Sequence, residues 1–389
     1  MKIMTAMYTL KKGGAYDRFL MMVEAFLERN CEVHCLSLTP IQIRHPHYHN
    51  HLTSFPFSME GGLVAKLTVL FLFPLYSLLM SWREKIDLFI AFSSLYAFIF
   101  AIPKKILKKP MVTFVWGDSS FGLRMQNFSK YFLWFNKLTE YLGFIFSDRI
   151  ITINTAMRES IVRVTGKRKN IDVQILFNNI PAVKASATDD ILKIRPRYGI
   201  PEKARVLVTA SVLTRGKNIE LLIKCLPKIG TKDTILLVAG ECSTKSDFHY
   251  KDDLKKLIQR LGLGKQIIFT GWLRQEELWM IFHASDLFVL PSKSEGMPNV
   301  ILEAIGCDLP CIGSDIPGIR DIFQYDELMF DPSDEKALAR KIDQIFSDHQ
   351  FFDNVKRLCQ ERKEAFDFDW KEKAFNMVTA GFSDFCKRP

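Results

Sequence analysis

Two carboxylates eight residues apart, Glu295 and Glu303, stand in the stretch PSKSEGMPNVILEAIG, residues 291–306. Glu303 is enclosed by Val300, Ile301, Leu302, Ala304 and Ile305, a run in which an ionised carboxylate needs partners. Glu295 lies beside Gly296 in what reads as a loop. The preceding DLFVLP (286–291) has the character of a buried strand that ends at Pro291, so the loop follows the strand's carboxyl end. Pro298 suits the first position of a helix running to about Gly306, because its missing N–H would be unpaired there anyway. The first turn of that helix offers the backbone N–H groups of Asn299 and Val300 and a positive dipole end. In open α/β sheets this is where phosphorylated ligands bind. The chemistry implied is recognition of an anionic ligand that also carries hydroxyl groups. Glu295 is within reach of the non-phosphate part, and Glu303 suits the two adjacent donors of a ribose. An internal ion pair between Glu303 and a Lys or Arg is the competing reading.

A parallel sheet is needed to place such a loop, and the chain has the rhythm for two. Apolar runs at 1–8, 33–38, 87–92, 111–116, 149–153 and 173–177 alternate with amphipathic stretches such as AYDRFLMMVEAFLER (15–29). A second series follows at 205–210, 234–239, 267–270, 286–290 and 310–313, with helical patterns at 217–228 and 249–261. This predicts parallel sheets covered on both faces, in two doubly wound α/β domains. A length of 389 residues also exceeds one ordinary core. The seam falls in 178–200, where apolar periodicity fades.

The net charge of +10 is uneven: residues 1–180 hold 22 Lys+Arg against 12 Asp+Glu, and the remainder holds 31 of each. The first half therefore calls for an anionic partner. Nucleic acid is not expected, since no recognised binding module is present. The run LTVLFLFPLYSLLM (67–80) is too short to span a bilayer and carries Pro74, leaving a buried core helix or an interfacial one. Beyond it lie four lysines in AIPKKILKKP (101–110) and the aromatic-rich FSKYFLWFNKLTEYLGFIF (128–146). The eight cysteines are scattered without a zinc framework, and no stretch reads as a cleavable signal peptide. Reduced thiols in a cytoplasmic protein are expected. HPHYHNH supplies His45, His47, His49 and His51, which could bind zinc but are read as a solvated loop. GKRKN (166–170) reads as a basic loop.

Taken in order, these stretches resemble a known family. PSKSEGMPNVILEAIGCDLPCIGSDIPGIRDI is similar to the E-x7-E signature of retaining glycosyltransferase family 4, also called glycosyl transferase group 1. MKIMTAMYTLKKGGAYDRFLMMVEAFLERNCEVHCLSL resembles that family's opening strand, glycine loop and first helix. SDRIITINTAMRESI, ILFNNI and IIFTGWLRQEELWMIFHASDLFVLPSKSEG also match, so the likeness covers nearly the whole chain. It implies the GT-B fold, two Rossmann-like domains facing a central cleft. Residues 1–178 would form an acceptor-binding domain, with a helix at about 372–389 packing back on it, and 179–371 a nucleotide-sugar domain.

The resemblance also implies roles. Gly13 and Gly14 match the loop that approaches the donor diphosphate, and Lys217 the phosphate-binding lysine. Glu295 matches the glutamate on the donor sugar, and Glu303 the one on the ribose. Gly271, Trp272 and Leu273 match the backbone turn beside the nucleobase. Gly296, Met297, Asn299 and Val300 complete the donor-binding set. Two positions depart from the pattern. Val212 stands where an arginine is usual, leaving Arg215 to supply the guanidinium, and Trp116, Gly117 and Asp118 occupy the region of a usual histidine. Asp118 would either meet the acceptor hydroxyl or sugar, or cap the following turn. Only Gly240 is kept of a usual glycine pair. DFDW (367–370) spells a metal-binding pattern of a different fold and is read as a polar stretch. The expected activity is retaining, metal-independent and cofactor-free transfer from a nucleotide sugar, UDP-linked, to a glycan or lipid-linked acceptor. This would serve cell-surface polysaccharide or glycolipid synthesis, peripherally on the cytoplasmic membrane's inner face. A UDP-sugar epimerase and a non-catalytic membrane-associated binding protein are the alternatives.

Overall fold

In a computed structural model, residues 1–8, 14–53, 68–116, 130–166, 171–183, 191–231 and 233–382 are described. The chain forms two compact units, Met1–Phe177 with Asp369–Pro389, and Asn178–Phe368.

The first unit is built on seven parallel strands: β1 (Lys2–Met7), β2 (Glu32–Ser37), β3 (Tyr48–Leu52), β4 (Leu88–Ala91), β5 (Met111–Val115), β6 (Arg149–Thr152) and β7 (Asp172–Ile175). Their spatial order is β3-β2-β1-β4-β5-β6-β7. Strands β1, β4 and β5 are buried almost end to end, which is why they read as continuous apolar runs. The helices are α1 (Gly14–Leu27), α2 (Phe73–Arg83), α3 (Ser94–Leu107), α4 (Lys130–Phe146) and α5 (Thr155–Thr165). The second unit has six parallel strands: β8 (Arg205–Ala210), β9 (Thr234–Ala239), β10 (Ile267–Gly271), β11 (Leu287–Leu290), β12 (Cys311–Ser314) and β13 (Met329–Phe330). Their order is β10-β9-β8-β11-β12-β13. Its helices of seven or more residues are α6 (Ile219–Cys225), α7 (Lys245–Leu261), α8 (Gln275–His283), α9 (Asn299–Gly306), α10 (Pro317–Phe323), α11 (Glu335–Ser347) and α12 (His349–Phe366). The last helix, α13 (Trp370–Thr379), belongs to the first unit and packs on α1. Phe26 meets Phe375 there at 5.0 Å between ring centroids, and Lys371 bridges Glu24 and Glu28.

Several expectations change. The histidine tract is not simply a loop: Tyr48–Leu52 is an edge strand paired in parallel with β2. It lacks apolar alternation because it has one strand neighbour. Its Asn50 accepts from the Ile41 N–H and donates to Ser37, replacing apolar packing with polar ties. Strand β13 is two residues long, too short to leave a pattern. In DFDW, Asp367 ends α12 and Asp369 caps α13 by accepting from the Glu372 N–H at 3.0 Å. The seven described cysteines are buried and free, and burial pushes the Cys225 and Cys307 thiols up to about 12. No described helix is long and apolar enough to cross a membrane.

The apolar segment near 67–80 is neither wholly buried nor wholly exposed. A wide turn, Thr68–Leu72, leads into α2, which buries Phe73, Ser77 and Met80. Its opposite side presents Leu75, Leu79 and Trp82, the last 70% exposed. Exposed Ile102 and Ile106 of α3 and Trp134 of α4 add to the apolar surface of this unit. Two of the four nearby lysines are structural. Lys104 donates to the Phe146 carbonyl and to Asp148 at 2.7 Å, and Lys109 pairs with Asp87 at 3.4 Å. Lys105 and Lys108 face solvent.

Helix α4 approaches the start of α3 at Gly143, where an added Cβ would lie 2.2 Å from the Ser94 carbonyl oxygen. Gly143→Ala must therefore push the two helices apart, and we expect a loss of about 1–3 kcal/mol. Urea unfolding of the full chain measures it. A loss below about 0.5 kcal/mol, the usual scatter of neutral substitutions, would show that this contact is loose.

Candidate functional site

Strands β8 and β11 are neighbours at the centre of the second sheet, and the chain leaves them in opposite directions, β8 toward β9 and β11 toward β12. That is a topological switch point, where the loops at the strands' carboxyl ends diverge and leave a crevice. The loop after β8 carries a short helical turn, Arg215–Lys217, and then Asn218 with a left-handed φ of 55°. The loop after β11 carries Pro291 to Met297 and enters α9. Pro298 is extended and precedes α9 instead of opening it, so the helix proper starts at Asn299.

The two loops are bonded to one another. Buried Asn218 donates through Nδ2 to the Pro291 carbonyl at 3.0 Å and to the Pro332 carbonyl at 2.9 Å. The Lys293 N–H donates to the Gly216 carbonyl at 2.8 Å. Lys217 Nζ then meets Glu295 Oε1 at 2.6 Å, with Glu295 only 10% exposed. Fully buried Ser292 donates its hydroxyl to the same oxygen at 2.6 Å. Behind them Tyr250 accepts from the Ile219 N–H and donates to Glu220, whose other oxygen takes Lys293 Nζ at 3.2 Å. Burial and that carboxylate hold the Tyr250 phenol well above its ordinary range, so it stays a donor.

Glu303 lies one face further along α9. It is half-buried and accepts from Gln275 Nε2 at 2.9 Å. Arg215 pairs with Asp253 at 2.5 Å and lies over the Tyr250 ring. Met297 is buried, and its sulfur accepts from the Asn178 N–H at 3.1 Å. Asn299 accepts from Asn178 Nδ2 at 2.7 Å, while Val300 is half-buried. Gly271 turns the chain at φ 73°, with Trp272 exposed and Leu273 half-buried after it. Gly240 takes φ 128°, and a Cβ there would lie 1.9 Å from the Ser211 carbonyl oxygen, so glycine is required. Gly14 opens α1, whereas Gly13, Gly117 and Asp118 lie outside the described residues.

Sequence reasoning passed over Ser292, Gln275, Asn218 and Gly318. A Cβ on Gly318 would meet the Gly296 and Glu295 carbonyl oxygens at 2.2 and 2.5 Å, so this glycine lets α10 press against the back of the Glu295 loop. The dipeptide PG at the start of a helix was its visible signal. Ser292 and Asn218 are small polar residues at strand ends and leave no pattern.

The first unit repeats the layout. Its switch point lies between β1 and β4, whose onward connections run to opposite sides. A cavity of about 240 Å³ opens there, lined by Met7, Tyr16, Phe92, Ser93, Tyr96 and Trp116 among others. Trp116 stacks on Phe114 and Phe92, and its buried Nε1 has no hydrogen-bond partner among the described residues.

Comparison with known proteins fits this frame. Residues 190–364 match the family model described as glycosyl transferases group 1. The chain is 24% identical over 265 residues to the serotype-specific mannosyltransferase WbdA of Escherichia coli, covering 66% of this chain and 31% of that protein. It is 25% identical over 216 residues to the N-acetyl-alpha-D-glucosaminyl L-malate synthase of Bacillus anthracis, covering 53% of each. The aligned chain thus spans about half or less of the curated relatives it matches. Among solved structures, Anabaena Alr3699/HepE in complex with UDP superposes with a TM-score of 0.79 at 18% identity, over 99% of this chain and 100% of that one. The match to glycosyl transferases group 1 lies within the second unit, and the two parallel sheets have the GT-B fold.

Proposed function

We propose that this protein is a retaining glycosyltransferase that moves a sugar from a UDP-linked donor to an acceptor hydroxyl. The observation that carries the reading is the Lys217–Glu295 pair at the switch point of the second sheet, beside the N-terminus of α9. One ammonium and one carboxylate in contact suit the junction of a sugar and a diphosphate. The cation faces the phosphates, and the anion accepts from sugar hydroxyls. Glu303, on the same helix, takes the ribose hydroxyls. The UDP held by the similar Anabaena protein is in keeping with this donor class.

In this reading the leaving diphosphate develops negative charge, and Lys217 with the helix N-terminus stabilises it. Arg215 adds a second cation by leaving Asp253, an exposed pair that costs little to break. No divalent ion is required for that neutralisation. A donor phosphate oxygen takes the acceptor proton on the face from which the leaving group departs, so no enzyme nucleophile is needed. Glu295 orients the sugar and does not attack it.

The aromatic cavity of the first unit supplies the acceptor subsite. Aromatic faces pack on the C–H faces of a sugar ring, and the unpartnered Trp116 Nε1 donates to a hydroxyl. The exposed apolar side chains of α2, α3 and α4, with Lys105 and Lys108, suit an anionic membrane surface. We therefore assign a lipid-linked or membrane-surface glycan as acceptor, on the cytoplasmic membrane's inner face. The mannosyltransferase relative, serotype-specific by name, agrees with a role in cell-surface polysaccharide synthesis.

Titrating UDP into the two glutamate variants tests the division of labour. Glu303→Ala loses a charge-assisted bond of roughly 1.5–3 kcal/mol, hence about 10- to 150-fold in UDP affinity. Glu295→Ala keeps UDP binding but loses donor turnover, and Gly318→Ala lowers turnover by displacing the Glu295 loop. Donor hydrolysis should persist in excess EDTA. Equal loss of UDP affinity in both glutamate variants would refute the assignment.

Vesicle co-sedimentation tests the membrane surface. Lys105→Ser with Lys108→Asn removes the two solvent-facing lysines and leaves the Lys104 and Lys109 ion pairs in place. At about 1 kcal/mol per lysine, binding to anionic vesicles should fall up to about 30-fold. Trp82→Ser should lower it separately, and UDP affinity should not change in either. Wild-type protein left in the supernatant at low salt would overturn the membrane reading.

A further inference from the structure

Among the described residues, the densest group of metal-ligating side chains outside the donor site stands at the outer edge of the first sheet. Side chains two residues apart on a strand share a face, which places Glu32 with His34 on β2 and His49 with His51 on β3. The parallel register sets His34 directly beside His49, so all four share one face. The His34 ring stacks on His49 and on His51, with centroids 4.7 and 5.2 Å apart. Glu84, which ends α2, reaches the same place. The ligand atoms of Glu32, His34 and His49 lie within 4.8 Å of one another, and so do those of His34, His51 and Glu84.

His34 is the shared member and is 98% removed from solvent, at 2% exposure. Its two ring nitrogens have different surroundings. Nδ1 is 2.9 Å from His51 Nε2, a hydrogen bond. Nε2 is buried and has no hydrogen-bond partner, and the nearest carboxylate oxygen, Glu32 Oε2, is 3.7 Å away. A buried, unpaired ring nitrogen is costly unless something occupies it. With the proton on Nδ1 in the bond to His51, the lone pair on Nε2 is free to bind. The 3.7 Å gap is close to the separation of about 3.3 Å between two ligands of one tetrahedral zinc ion.

We propose a zinc site in which Glu32, His34 through Nε2, and His49 are the ligands, with water in the fourth position. His51 and Glu84 form its outer layer. The His34 Nδ1–H is donated to His51, the arrangement that fixes ring orientation in metal-bound histidines. Imidazole with carboxylate suits zinc, and cobalt(II) serves as a spectroscopic stand-in. Lys2 Nζ, now 2.9 Å from Glu32 Oε2, gives up that contact toward solvent when the ion arrives. Exposed Arg83, which bonds Glu84, stays outside the ligand set. Exposed His49 provides the entry path. The ion ties the edge strand to its one neighbour, and through His51 and Glu84 it steadies the end of α2. The cluster belongs to the first unit and shares no residue with the Lys217–Glu295 site, so its role is structural.

The test uses full-length protein without a histidine tag, stripped by chelator and titrated with zinc by calorimetry and with cobalt(II) by visible absorption. Wild type should bind one equivalent, with a tetrahedral cobalt spectrum and a raised melting temperature. His49→Ala and Glu32→Gln should each weaken binding more than 100-fold, and His51→Ala about 10- to 100-fold. Circular dichroism confirms that the variants fold. The double variant His45→Ala/His47→Ala should bind as wild type, which separates a built site from simple chelation by the tract. UDP affinity of the stripped protein should not change, so the outcome is independent of the donor reading. Failure of wild type to bind a stoichiometric ion overturns the proposal. Equal loss in the His45/His47 variant, or undiminished binding by His49→Ala, does the same.

Discussion

Lys217 and Glu295 are 78 residues apart in sequence, yet a single hydrogen-bonded ion pair joins them at the mouth of the second sheet. The arrangement of that unit follows from bringing these two loops into contact. Partial burial raises the stakes: removing one partner of such a pair leaves a charge that water compensates only in part. The surrounding residues act to keep the pair in register. Asn218 ties one loop to the end of β11, Ser292 holds the shared carboxylate oxygen, and the Lys293 N–H clamps the loops across their backbones. Gly240 and Gly318 matter because they lack a Cβ where another backbone arrives. In the proposed donor reading, this cation and anion at fixed separation meet a ligand that is itself part anionic and part hydroxylated.

Each sheet places its concavity by the same rule. Parallel strands that are wound in opposite directions from a central pair must open a crevice at their carboxyl ends. In the second sheet the crevice is polar and charged. In the first it is aromatic, with Tyr16, Phe92, Tyr96 and Trp116 around it. The same topology thus presents two chemically different surfaces, and the difference lies in the side chains at strand ends.

Most of the strands were legible because burial on both faces leaves an apolar run of four to six residues, and β1, β4, β5, β8, β9, β11 and β12 all have this property. Strand β3 was not, since an edge strand can be held by Asn50 and by its one neighbour and needs no apolar face. The two glutamates were visible as anomalies, a carboxylate inside an apolar helix and another beside a glycine. Their partners were not: Gln275 and Ser292 are ordinary polar residues, and only the fold brings them within 2.9 and 2.6 Å. The question raised by Glu303 has a simple resolution. Its helix buries Ile301, Leu302, Ala304 and Ile305, and position 303 faces out of that core, half-buried against a neighbouring helix.

The charge asymmetry between the two halves is a lesson in what counting residues leaves out. Formal charge treats every lysine as available to a partner. Lys104 is 17% exposed and is spent on Asp148 and a helix-terminal carbonyl, and Lys109 on Asp87. Lys2 and Arg149 are likewise held, by Glu32 and Asp172. The positive potential a surface would feel comes from the smaller set that remains in solvent, Lys105 and Lys108 among it. These stand in the same unit as the exposed side chains of Leu79, Trp82 and Ile106. Screening over about 8–10 Å at physiological ionic strength limits what scattered charges can add at a distance. Any attraction to an anionic surface must therefore come from charge and apolar area acting at contact, so the exposed faces of α2 and α3 weigh more than the total of +10.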